Sequence, residues 1–234
     1  LMRGHGFVSF LLVGTMLLLA CNGRTLPWSV DNATRFLYYS YAAYCPVENV
    51  GKWDCIWCEE EVIAEFSPVA FPFDEKINAY GFIGVHKPDK QIIVTFRGTV
   101  FGDLTNFITD LQSLIHTSYK DMPGMEVGLG FYKEWNLLLP QVIPVVESLH
   151  QDNPSFEIIV TGHSLGAAIS VLCAAELVQQ GYEVSNFNYG CPRVGNQPFA
   201  EYYDSLVPNT FRVVNGHDIV PHLPTVSMDF YHVG

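Results

Sequence analysis

The sequence predicts an α/β fold, a mostly parallel sheet with helices on both faces. Two observations carry this. Short apolar runs rich in β-branched side chains, at Tyr80–Val85, Gln91–Phe96, Glu157–Thr161, Asn186–Tyr189 and Thr210–Val214, read as strands. Stretches with apolar groups at helical spacing alternate with them, at Phe131–Leu149, after Gly166 and over Pro198–Leu206. A third observation fixes the centre of the chain. Gly162-His163-Ser164-Leu165-Gly166 fits G-x-S-x-G, directly after one strand and ahead of an Ala-rich helix. Strand, sharp turn and helix make a nucleophile elbow, which lifts the Ser164 hydroxyl to the top of the sheet. Gly162 and Gly166 are needed because the turn brings strand and helix too close together for a Cβ.

The elements follow in order. Arg3 leads into the apolar stretch Phe7–Ala20 and then Cys-Asn-Gly, the pattern of a secretory signal peptide cleaved near Ala20–Gly23. We therefore expect a leader over 1–22, a single domain over 23–234 and a secreted protein. Asp31–Tyr44 reads as a helix with Asp31 or Asn32 as its cap, ending near Cys45-Pro46. Gly51–Pro72 reads as an irregular segment with some strand. The runs at Tyr80–Val85 and Gln91–Phe96, separated by His86-Lys87-Pro88-Asp89, suggest a hairpin entering the sheet. Phe131–Leu149 presents Phe131, Trp135, Leu138, Val142, Val145 and Leu149 on one face and is expected to bend at Pro140 and Pro144.

Composition narrows the function. Of 234 residues, 49% are hydrophobic and 15% charged, which excludes a disordered chain. A net charge of −12 argues against a nucleic-acid partner. With a leader present, the Cys45/Cys55/Cys58 cluster among the six cysteines reads as disulfide chemistry. Cys173 falls on the buried face of the helix after the elbow. No metal-ligand spacing appears, and nothing calls for a cofactor or an obligatory protein partner.

A serine hydroxyl is a poor nucleophile until a base takes its proton, and the attacked carbonyl oxygen needs hydrogen-bond donors as its charge builds. One donor is the amide of Leu165, the residue after the nucleophile. The second is expected in a loop after an earlier strand, and Arg97-Gly98-Thr99 follows QIIVTF, although spacing alone allows an ordinary strand-end turn equally well. An acid is expected after a late strand; Asp218 lies there, where an acid can also simply cap a turn. Val100–Leu111 carries apolar groups at helical spacing that suit core packing or a mobile lid over an apolar cleft.

Four motifs, FRGT (Phe96–Thr99), GHSLGAA (Gly162–Ala168), YGCPRVGN (Tyr189–Asn196) and HDIVPHLP (His217–Pro224), resemble in order and spacing the fungal-type, class 3 triacylglycerol lipase family. The resemblance spans roughly Tyr39 to the end and implies an α/β-hydrolase fold, no cofactor, and a lipid ester substrate met at a lipid–water interface. It implies Ser164 as nucleophile, Asp218 as triad acid, Thr99 and Leu165 as oxyanion hole, and Asp110 as support for the Thr99 hydroxyl. It implies a lid over Val100, Phe101, Gly102, Asp103, Leu104, Thr105, Asn106 and Phe107. It also matches Cys55 and Cys58 to a local disulfide, and Cys45 to a cysteine bonded to the far C-terminus. Cys191 and Gly128 depart from the family pattern. The family's catalytic histidine lies several tens of residues after the acid, so the resemblance places the base, the partner of Cys45 and the last element of the fold beyond Gly234. The rival expectation is that His232 is the base of a shortened enzyme. Esterase action on soluble or aryl esters, and lipid binding without catalysis, are the alternatives on the same scaffold.

Overall fold

The structure, a computed structural model, describes residues 26–100 and 103–234. The expected leader over 1–22 lies outside the described residues, as do Phe101 and Gly102 of the expected lid.

Helix α1 (Val30–Ala42) opens the fold, followed by the short α2 (Val47–Lys52) and strands β1 (Phe66–Ala70) and β2 (Phe73–Asp74). The cap of α1 is Ser29, whose side chain accepts the Asn32 amide, and not Asp31 or Asn32 as the sequence suggested. Strands β3 (Ala79–His86) and β4 (Gln91–Phe96) form the expected antiparallel hairpin, from His86 opposite Gln91 to Gly81 opposite Phe96. Then come α3 (Leu104–Leu111), a small antiparallel pair β5 (His116–Ser118) and β6 (Glu126–Gly128), and α4 (Leu129–Asp152). The last elements are β7 (Glu157–His163), α5 (Leu165–Gln179), β8 (Val184–Tyr189), α6 (Gln197–Leu206) and β9 (Thr210–Val213), then two short 3-10 turns, Val220–His222 and Val226–Met228.

The main sheet runs β1-β3-β4-β7-β8-β9, with β2 also paired to β3. β4, β7, β8 and β9 are mutually parallel, and the antiparallel strands sit at one end. Alternation along each strand divides the core in two. Ile92, Val94, Ile158 and Val160 pack with α4, α5 and α6 on one face, whereas Ile93, Ile159 and Phe187 pack with Phe36 and Tyr39 of α1 on the other. Helices thus cover both faces, as expected of buried parallel strands.

α4 is one helix of 24 residues that carries both Pro140 and Pro144. Each proline leaves the carbonyl four residues earlier, of Asn136 or Pro140, without its helical donor, and both residues are exposed, so water can serve them. Its buried stripe includes Val146 in place of the expected Val145. Cys55 and Cys58 are bonded to each other, while Cys45, Cys173 and Cys191 are free thiols.

Candidate active site

The site forms where the parallel strands β4, β7 and β8 end. β7 stops at His163, and Ser164 takes φ 59° and ψ −122°, a positive φ that a side chain adopts only under constraint. The constraint is steric. A Cβ on Gly162 would lie 2.3 Å from the Gly166 oxygen, and one on Gly166 would lie 2.2 Å from the Phe96 oxygen. Strand, turn and helix are therefore in backbone contact, as the glycine spacing required. The Ser164 amide donates to the Tyr189 oxygen at 2.9 Å, and its carbonyl accepts from Ala167 at 3.0 Å.

The turn after β4 is seated against this elbow. A Cβ on Gly98 would fall 2.5 Å from the His163 oxygen and 3.2 Å from the Ser164 Cβ. Thr99 is the next residue, and the amide of Leu165, first in α5, lies beyond the reach of the helix's own acceptors. The structure thus seats Gly98, the residue before Thr99, against Ser164, the residue before Leu165.

Asp218 reaches the same neighbourhood from the turn after β9. Its Oδ1 accepts the Val220 amide at 3.0 Å. Its Oδ2 comes within 2.7 Å of the place a Cβ would take on Gly190, and His163 Nε2 lies 3.6 Å from that same place. Gly190, at φ 57°, is the residue after Tyr189 and makes room for the carboxylate. His163 Nδ1 is 2.8 Å from the Tyr44 hydroxyl. Burial holds the His163 imidazole below its ordinary pKa, and Asp218 pulls in the opposite direction.

Three expectations fare differently. Asp110 is exposed, and among the described residues its carboxylate makes no hydrogen bond to Thr99. The Ser164 hydroxyl is buried, the residue 2% exposed, and no described residue hydrogen-bonds its Oγ. His232 therefore makes no such bond. Burial and the guanidinium groups of Arg212 and Arg193 push it down to about 4, the environment of a neutral, cation-flanked imidazole rather than one paired with an acid. His86, expected in a surface turn, is buried with Nδ1 3.0 Å from Asp89. Tyr44 and Gly190 were not singled out from sequence; their contacts come from segments far apart in the chain.

A serine on a strained strand-to-helix turn, on parallel strands with an acid after a later strand, defines an α/β-hydrolase. Residues 93–228 match the family model described as lipase (class 3). The chain is 30% identical over 212 residues to secreted mono- and diacylglycerol lipase A of Penicillium cyclopium, covering 87% of this chain and 68% of the relative. It is 32% identical over 215 residues to a lipase of Rhizomucor miehei, covering 88% of this chain and 57% of the relative. A solved triacylglycerol lipase whose catalytic centre is described as a serine protease triad superposes with a TM-score of 0.79 at 31% identity, over 88% of this chain and 78% of that one. The chain belongs to the class 3 lipase family, and is a carboxylic ester hydrolase of the triacylglycerol lipase type.

Proposed function

We propose that this protein is a secreted serine lipase that hydrolyses the ester bonds of acylglycerols through an acyl-Ser164 intermediate. The observation that carries this reading is Ser164 at φ 59° on the elbow, with the Gly98-Thr99 turn packed against it. In the proposed mechanism Ser164 Oγ attacks the ester carbonyl carbon as a base takes its proton. The amides of Thr99 and Leu165 receive the developing oxyanion. Collapse expels the glycerol hydroxyl, which leaves with that proton. Water then attacks the acyl-serine, the fatty acid departs, and Ser164 regains its hydrogen.

Asp218 is assigned to orient the histidine that acts as this base. The lid reading of Val100–Phe107 rests on the burial of Ser164 and on the packing of Phe107 in α3. Secretion is supported by the leader pattern and by relatives named as secreted.

The test is covalent. In the full-length protein an alkyl phosphonate ester should add its mass to the peptide bearing Ser164, and Ser164→Ala should lower ester hydrolysis by roughly 10⁴-fold or more. Unchanged hydrolysis by the variant would end this mechanism. A rate that fails to jump when the substrate exceeds its solubility would leave an esterase for soluble esters instead.

A further inference from the structure

Asn32-Ala33-Thr34 reads N-x-T, the acceptor pattern for an N-linked oligosaccharide on a secreted chain. No other asparagine among residues 1–234 stands two positions before Ser or Thr without a proline between, since Asn153-Pro154-Ser155 is spoiled by its proline. The pattern falls in the first turn of α1. Ala33 and Phe36 are the positions that this turn buries, and Asn32 and Thr34 flank that stripe, the first half-buried and the second exposed. The helix start does not use the Asn32 side chain as its cap, because Ser29 Oγ accepts the Asn32 backbone amide at 3.0 Å. The carboxamide is turned to the exposed Pro27 instead, and its Nδ2 donates one hydrogen to the Pro27 oxygen at 3.0 Å. The second hydrogen of Nδ2 has no partner among the described residues. Trp28 and Val30, within four residues, are 51% and 72% exposed.

We propose that Asn32 is an N-glycosylation site, modified before α1 winds, whose glycan covers Trp28 and Val30. The sugar comes from a lipid-linked pyrophosphate oligosaccharide. Its glycosyl C–O bond breaks, a C–N bond forms to Asn32 Nδ2, the amide gives up one proton, and the lipid pyrophosphate leaves. One N–H remains on Nδ2, enough for the bond to the Pro27 oxygen. The order of events follows from helix geometry. Transfer requires the threonine hydroxyl close to the carboxamide, and residues two apart on an α-helix point about 160° away from each other. The acceptor therefore exists only while the segment is unwound. Once α1 forms, Ala33 and Phe36 fill the inner face and the sugar is left outside, beside an apolar end of the helix that nothing else among the described residues conceals. Such a glycan depends on secretion and not on the role of Ser164.

The experiment expresses the full-length protein in a eukaryotic secretory host. Peptides from the secreted and the cell-retained protein are read by mass spectrometry before and after peptide N-glycosidase. We expect the peptide bearing residue 32 to be missing at its bare mass before treatment. It should appear afterwards with aspartate at that position, the mark left by a removed N-glycan. Thr34→Ser should keep the modification and Thr34→Ala should abolish it, with Asn32 in place in both. The Asn153 peptide should stay unmodified throughout. A bare Asn32 in the wild type from both fractions would overturn the proposal and leave the lipase reading intact. For the order of events, wild type purified without glycan should stay unmodified by transferase and donor when folded and become modified when denatured; modification of the folded chain would overturn that order. Removing the glycan from the folded protein should raise its mean mass in light scattering as Trp28 and Val30 are uncovered, and an unchanged mass would overturn the covering role.

Discussion

The turn that carries Ser164 and the turn that carries Asp218 both follow parallel strands of one sheet, yet different forces hold them. At the elbow, Gly162, Gly166 and Gly98 let three backbone segments touch, and nothing larger fits. At Asn215-Gly216-His217-Asp218 the backbone stands largely in solvent. Gly216 has φ 52° with open space around it, and Asp218 is fixed by its own Oδ1 bond to Val220 and by a bond from its amide to the Asn215 oxygen at 3.1 Å. The nucleophile is placed by steric necessity and the acid by polar contacts. Changes at the first turn should therefore cost the fold, and changes at the second should cost the chemistry.

Asp218→Asn tests the second half of that statement and carries the largest expected effect. The shape is kept and the charge is lost, so hydrolysis by the full-length protein should fall by roughly 10³- to 10⁴-fold. Tm should move little, because the amide oxygen can still accept the Val220 amide. A comparable drop in Tm would mean that Asp218 holds the turn rather than a base.

The paired glycines test the first half. Gly162→Ala pushes a Cβ to 2.3 Å from a backbone oxygen that no rotamer can move. The expected cost is about 3 kcal/mol or more, read as a Tm lowered by roughly 10 °C. Gly216→Ala meets no atom within 4 Å and bears only the penalty of a positive φ, about 1 kcal/mol. Equal losses at the two positions would erase the distinction between the turns.

The same distinction governs what could be read from the sequence. The elbow was legible because close backbone approach leaves glycine as the only choice, and the choice recurs at fixed spacing. Strand alternation was legible for the same kind of reason, since Ile92 and Ile93 must face opposite sides of one sheet. What escaped depends on partners distant in the chain. The β5–β6 pair is three residues against three, too short to show a period. Asp110 looked like support for Thr99 by position, yet its carboxylate is exposed. The Ser29 cap was ambiguous because Asp31 and Asn32 offer the same chemistry two and three residues on.

The contact between Tyr44 and His163 joins residues 119 apart, and it yields the subtlest test because His163 belongs to both turns. Its backbone is part of the elbow, while its ring meets the Tyr44 hydroxyl and shares the space beside Gly190 with the Asp218 carboxylate. With Nδ1 accepting from the Tyr44 hydroxyl, the proton of the neutral ring is assigned to Nε2. That bond favours the neutral imidazole, in the same direction as burial. A histidine whose folded pKa is depressed contributes stability that is present above its ordinary 6.5 and is lost as pH falls through the lower folded value. Tyr44→Phe leaves Nδ1 without its donor, which should cost about 1–2 kcal/mol at pH 8. The same change removes a reason for the ring to stay neutral, so its pKa should rise toward 6.5 and the deficit should shrink toward pH 5. Melts of the two proteins across that range decide the matter. A Tm gap that stays constant with pH would assign the hydroxyl to packing against Gly98 alone, and would leave Asp218 as the one polar influence on the His163 ring.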